Sequence, residues 1–150
     1  AVVGYSLGGT SASYLTTLEP NFVTAVLWAP VARPDIIRDR LSQYPGFAGY
    51  RERGYFDYGG FRVSPDYLDR IGALTPVEWL TGFAGPVLFI HGADDPIVRP
   101  EQSDRYLAAR RHAADRKILL PDADHSFTSA ANLDIVVERS EQWLVEKLKG

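Results

Sequence analysis

The stretch Ala1-Val2-Val3-Gly4-Tyr5-Ser6-Leu7-Gly8-Gly9 decides how the rest of the chain reads. Its apolar opening has the character of the end of a buried strand, and residues 10–18 are compatible with a helix. Between the two lies Gly-x-Ser-x-Gly. A serine on so sharp a strand-to-helix turn takes strained backbone angles and projects its hydroxyl above the sheet. Glycines two residues to either side remove the Cβ atoms that would collide there. The Leu7 amide, at the helix N-terminus, then points to where an oxyanion would form. The bland reading of Ser6 is a loop serine in a glycine-rich turn, and a phosphate-binding loop is a weaker rival because no lysine follows at the required spacing.

Outward from this turn, strand-like and helix-like segments alternate. Residues 24–28, 87–90 and 117–120 are short apolar runs bounded by Pro or Gly, as in strands buried on both faces. Residues 100–114 read as a helix with Pro100 in its first turn and a modest apolar face from Tyr106, Leu107 and Ala109. Residues 130–149 read as an amphipathic closing helix, with Leu133, Val136, Val137, Ser140, Trp143, Leu144 and Leu148 three or four apart. The pattern predicts an α/β fold, a mostly parallel sheet with flanking helices. Residues 33–82 break the rhythm with four prolines and a dense set of aromatic residues, and are expected to form an insertion with structure of its own.

A serine hydroxyl needs a base, and the base an orienting carboxylate. Of the three histidines, His91 ends a strand before Gly92 and reads as structural, while His112 sits in a charged helical stretch. His125 follows the 117–120 strand in the loop Pro121-Asp122-Ala123-Asp124-His125-Ser126-Phe127. The acid candidates are Asp94 and Asp95, in a loop that leaves the 87–90 strand. The order Ser6, Asp95, His125 thus places each residue after a strand of one parallel sheet, at the carboxyl edge where open α/β sheets bind ligands. A metal site built from His91, Asp94, Asp95, Asp122, Asp124 and His125 is the alternative use of these loops, and it leaves the serine turn unexplained.

Composition narrows the field. With 150 residues, 45% hydrophobic, the chain is long enough for one domain with a sizeable core. A net charge of −3 offers no basic field for nucleic acid, and no apolar run is long enough to span a bilayer. The absence of cysteine excludes disulfides and thiolate chemistry. Without any methionine, and opening inside a strand, the sequence reads as the C-terminal part of a longer, N-terminally truncated domain. Any targeting leader would precede Ala1, so no compartment beyond a cytoplasmic default is indicated, and oligomeric state is not legible.

Taken together, Gly4-Tyr5-Ser6-Leu7-Gly8-Gly9 resembles the nucleophile elbow of the α/β-hydrolase superfamily. His91-Gly92-Ala93-Asp94-Asp95-Pro96-Ile97-Val98 resembles its acid loop, and Asp124-His125-Ser126-Phe127 its histidine loop. Within the superfamily the chain looks most like cinnamoyl/feruloyl esterases and serine aminopeptidase-like hydrolases, through Tyr58-Gly59-Gly60-Phe61, Tyr67-Leu68 and Pro76-Val77-Glu78 of the insertion. The resemblance implies an α/β-hydrolase fold with a cap-like insertion and a serine esterase that forms an acyl-enzyme. It maps the triad to Ser6, Asp95 and His125 and one oxyanion donor to the Leu7 backbone. It implies no cofactor or metal, and a small-molecule ester as the partner. Tyr5, Tyr58, Phe61, Ile97 and Phe127 are the candidate substrate contacts. The alternatives are an amide- or peptide-cleaving hydrolase of the same fold and a non-catalytic binding module. The family's first strands, and the loop that usually bears the second oxyanion amide, have no counterpart here.

Overall fold

In the computed structural model, which describes residues 1–149, the chain runs β1 (Val2–Tyr5), α1 (Leu7–Leu18), β2 (Ala25–Trp28), α2 (Asp35–Leu41), a 3-10 turn (Pro45–Phe47), α3 (Tyr50–Arg53), β3 (Phe56–Tyr58), β4 (Phe61–Val63), α4 (Pro65–Ile71), α5 (Pro76–Thr81), β5 (Val87–Gly92), α6 (Glu101–Arg110), β6 (Arg116–Leu120) and α7 (Ala130–Leu148). Contacts divide it into two units, one of residues 1–32 and 76 onward, the other of residues 33–75.

In the first unit β1, β2, β5 and β6 form a sheet in the order β1-β2-β5-β6, and every pairing is parallel. The apolar runs of β2 and β5 alternate between the two faces. Ala25, Leu27, Val87 and Phe89 face a cluster that includes Ala12 of α1, Leu80 of α5 and Tyr106 of α6. Val26, Leu88 and Ile90 face a second cluster with Val136 and Trp143 of α7. Helices thus cover both faces, which explains why these strands are apolar without a polar side.

Two indoles pin α7 to β2 and the residue before it. Trp28 Nε1 donates to Ser140 Oγ at 2.9 Å, and Trp143 Nε1 donates to Thr24 Oγ1 at 2.7 Å. A serine in the apolar stripe of α7 is therefore a built partner for an indole, not a flaw in the pattern. Only part of the expected stripe is buried. Leu133, Val137 and Leu148 are exposed, and Val137, Leu144 and Leu148 border an apolar groove of about 530 Å³ with Val3 and Trp28. Val3 belongs to β1, a strand with only one sheet partner among the described residues, so the sheet ends before the stripe does.

The expected insertion over 33–82 ends earlier as a contact unit, at Thr75, because α5 packs with the first unit: Leu80 joins its core and the Trp79 ring lies 5.1 Å from that of Tyr14 on α1. The second unit carries its own small core of Leu41, Tyr50, Phe56 and Leu68. Its hairpin pairs Tyr58 with Phe61 across Gly59 and Gly60, both at positive φ, as a two-residue turn of this hand requires.

One ion pair is fully enclosed. Arg110 Nε donates to Asp115 Oδ2 at 2.7 Å, with the two side chains 1% and 2% exposed. The same guanidinium donates to the carbonyls of Leu80, Phe83 and Gly85, and Asp115 accepts the Val87 amide at 2.9 Å. The end of α6 is thereby tied to α5 and to the first residue of β5. Removing one partner strands the other's charge in the core. Arg110→Leu is therefore expected to cost about 3–5 kcal/mol in urea unfolding. Arg70→Ala, which breaks an exposed pair with Asp66, leaves the midpoint unmoved.

Candidate active site

Ser6 closes β1 and stands at the N-cap of α1 with φ 54° and ψ −121°, a conformation that is costly for any residue with a Cβ. Its backbone is held from three sides. The Ser6 amide donates to Trp28 O at 2.8 Å, and its carbonyl accepts from Gly9 N at 3.0 Å and Val31 N at 3.2 Å. A serine at this position ordinarily caps the helix with its own hydroxyl. Here no such cap bond forms. The hydroxyl instead lies 2.9 Å from His125 Nε2.

The glycines around the turn divide differently from the sequence expectation. A Cβ on Gly4 would meet Gly8 O at 2.5 Å and the Ala12 Cβ at 2.8 Å, and one on Gly9 would meet the Pro30 Cβ at 2.7 Å. Nothing lies within 4 Å of the corresponding position on Gly8. Close packing of α1 on the sheet thus requires Gly4 and Gly9, whereas the second glycine of Gly-x-Ser-x-Gly relieves no collision.

His125 sits after β6, and its Nδ1 lies 2.7 Å from Asp95 Oδ2. A carboxylate only accepts, so Nδ1 carries the proton and the Nε2 lone pair faces the Ser6 hydroxyl. Asp95 follows β5, is buried, and is surrounded by donors. Oδ1 accepts the amides of Ile97 and Val98 at 2.8 Å each, and Oδ2 also lies 3.3 Å from His91 Nε2. Burial by itself pushes this carboxyl up, but the hydrogen bonds from His125, His91, Val98 and Ile97 outweigh it and hold Asp95 well below the usual carboxylate range. The resulting array, hydroxyl to imidazole to carboxylate, can move a proton off Ser6 while an anion steadies the imidazolium that forms.

The structure thus brings Ser6, His125 and Asp95 together. Asp94 is exposed, and Asp124 spends its carboxylate on the Thr128 amide and hydroxyl. Among the described residues no group of three or more His, Asp or Glu side chains is arranged to hold a metal ion. Leu7 opens α1, where a backbone amide has no acceptor inside the helix.

The candidate substrate contacts separate. Phe127 is 3% exposed and packs with Leu120, Ala123 and Val136, which makes it a core residue and not a pocket wall. Tyr5 lies against His125, ring centroids 5.2 Å apart, with its hydroxyl 3.2 Å from Ser126 Oγ. Ile97 is exposed within the acid loop. Tyr58 and Phe61 are exposed on the hairpin of the second unit, where Tyr58 packs edge-on to Tyr44.

Sequence reasoning placed Tyr106 on the apolar face of α6 but overlooked Gln102 and Ser103 beside it. Gln102, Ser103 and Tyr106 are buried there. Gln102 Oε1 accepts from Ala32 N at 3.0 Å, Ser103 Oγ lies 2.7 Å from His91 Nδ1, and Tyr106 donates to Val31 O at 2.8 Å. The available signal was their spacing: three hydrogen-bonding side chains at i, i+1 and i+4 share the face where apolar residues were sought.

A family model described as the prolyl oligopeptidase family matches residues 1–150. No curated protein matches the chain. Among solved structures, Est1E from Butyrivibrio proteoclasticus aligns at TM-score 0.79 and 19% identity over 99% of this chain and 61% of its own, and it has also been solved with ferulic acid bound. The esterase domain of a Rhodothermus marinus protein aligns at TM-score 0.72 and 22% identity, covering 96% of this chain and 60% of that one. Mouse alpha/beta hydrolase domain-containing protein 10 aligns at TM-score 0.75 and 20% identity, covering 98% and 62%. The parallel sheet with helices on both faces is thus the α/β-hydrolase fold, and the chain spans about 60% of the length of these structures.

Two outcomes follow from the geometry of the site. Gly4→Ala and Gly9→Ala are expected to destabilise by about 1–3 kcal/mol through overpacking. Gly8→Ala costs nothing and gains slightly from helix propensity, as thermal melts of the three variants will read. Because Asp95 is held ionised in the folded state, its contribution to stability is complete above a carboxyl's ordinary value of 3.8 and is lost as pH falls below it. Between pH 5 and 3, roughly the range over which an unfolded carboxyl titrates, urea midpoints of the wild type should therefore fall more steeply than those of Asp95→Asn.

Proposed function

The chain belongs to the prolyl oligopeptidase family, and from that premise we propose that it is a serine hydrolase in which Ser6, His125 and Asp95 act as the catalytic triad on a carboxylic ester. The observation that carries this reading is the continuous relay from Ser6 Oγ to His125 Nε2 at 2.9 Å and from His125 Nδ1 to Asp95 Oδ2 at 2.7 Å, on a serine that gives up its helix-cap bond to make it.

In this reaction Ser6 Oγ attacks the acyl carbonyl as His125 Nε2 takes its proton. Asp95 stabilises the imidazolium, which then protonates the departing alcohol. Water repeats the sequence on the acyl-Ser6 intermediate and returns the free enzyme. The Leu7 amide is the proposed oxyanion donor from this chain, a contact of the kind worth about 3 kcal/mol in the transition state. The esterases among the structural relatives, one of them solved with ferulic acid, favour esters and an aromatic acyl group. A second reading, cleavage of an amide or peptide bond by the same residues, is favoured by the family to which the chain belongs.

The test is a fluorophosphonate probe read by intact mass, beside a panel of matched aryl and short-chain acyl esters and amides on the full-length protein. One adduct on the wild type, absent from Ser6→Ala, and turnover reduced about 10⁴-fold or more in His125→Ala are expected. Esterase turnover that survives Ser6→Ala overturns the assignment, and a panel in which only amides are cleaved replaces the first reading with the second.

A further inference from the structure

The reaction as proposed has no use for His91, yet no side chain in the chain is more completely enclosed: its exposure is 0%. It is also doubly engaged. Nδ1 lies 2.7 Å from Ser103 Oγ, while Nε2 lies 2.7 Å from the Val98 carbonyl and 3.3 Å from Asp95 Oδ2. The Val98 carbonyl has no proton to give. Nε2 must therefore carry one, and Nδ1 is left to accept the Ser103 hydroxyl. In the opposite tautomer, a lone pair at Nε2 would face a carbonyl oxygen and a carboxylate across a dry interior, an arrangement with no favourable contact.

Resting on the hydrolase reading above, we propose that His91 is a positioning residue for Asp95, with its proton fixed at Nε2 by the Val98 carbonyl and its Nδ1 held by the Ser103 hydroxyl. The N–H holds Val98, and the Val98 amide in turn donates to Asp95 Oδ1. The same N–H approaches Asp95 Oδ2, the oxygen that accepts from His125. His91 thus closes a ring of donors that leaves the carboxylate one orientation, the one that points Oδ2 at His125. Ser103 lies on α6 and His91 on β5, so the rotamer of the acid is set by packed secondary structure beneath the loop that bears it. The substrate never meets His91, and its loss should therefore act on turnover rather than on binding.

Three variants of the full-length protein test this. His91→Leu removes the donor, His91→Gln keeps an N–H2 donor near the position of Nε2, and Ser103→Ala removes only the hydroxyl that holds Nδ1. In His91→Leu, kcat is expected to fall about 100-fold, as a displaced catalytic group produces, with KM within about threefold of the wild type. His91→Gln should recover most of that loss, and Ser103→Ala should lose about tenfold, the worth of one buried hydrogen bond. Ser103→Ala carries the kinetic test on its own should His91→Leu fail to fold.

Nitrogen-15 NMR of the labelled imidazoles reads the tautomer directly, without reference to activity. A protonated Nε2 with a hydrogen-bonded, unprotonated Nδ1 is expected at His91, and a proton on Nδ1 overturns the proposal. Kinetics in which His91→Gln is as slow as His91→Leu overturn it too, because they assign the effect to packing. So does an active wild type that His91→Leu and Ser103→Ala leave unchanged. A wild type that neither turns over nor labels at Ser6 brings down the hydrolase reading, and this inference with it.

Discussion

A buried carboxylate with every lone-pair direction engaged organises this molecule. Asp95 accepts two amides from its own loop, the imidazole of His125 from the loop after β6, and the approach of His91 from within β5. Any one of these would be a modest hydrogen bond, but together they keep the group ionised although burial by itself pushes its carboxyl up. The consequence is mechanical as much as electrostatic. One strand and two loops converge on one side chain, which lets a site assembled from residues far apart in sequence hold distances of 2.7 and 2.9 Å.

The helix α6 extends the same economy to the serine turn. Its buried polar face supplies Ser103 to His91, and it supplies Gln102 and Tyr106 to the Ala29–Ala32 turn, whose Val31 amide grips the Ser6 carbonyl. Thr10 of α1 joins Tyr106 on the Val31 carbonyl. Burial pushes the Tyr106 phenol up from its ordinary value, which favours the protonated form that donates. The acid arm and the serine arm thus share one rigid support, itself locked by Arg110 and Asp115 at the far end.

How much of this was legible in the sequence follows from the range over which each signal acts. The strands showed through because a sheet covered on both faces makes them continuous apolar runs, and Ser6, Asp95 and His125 showed through because parallel strands deliver their following loops to one edge. What stayed hidden depended on which atom meets which across the fold. Gly9 reads as a close-approach glycine and is one, but Gly8 reads as a collision-relieving glycine of Gly-x-Ser-x-Gly, and only the open space around it in the fold reveals that it is not. Phe127 reads as an aromatic residue beside the site until the turn at its own positive φ sends it into the core. Ser103 and Gln102 look like solvent-facing helix residues because their partners lie on other elements. The stripe on α7 is correctly periodic but wider than the four strands beneath it, so periodicity alone overstates what is buried.

The backbone at Ser6 carries one more implication. At φ 54° and ψ −121° any side chain with a Cβ bears a cost of about 1–3 kcal/mol, and glycine bears almost none of it. The fold itself therefore leans against the residue that the proposed reaction needs. On the proposed reading, a change at this codon to glycine abolishes the reaction while relieving that backbone cost, so drift toward an inert, sturdier descendant runs downhill. Descendants of such a scaffold that only bind are consequently the ones that physics makes easiest to reach, and on the proposed reading only selection on turnover opposes that drift.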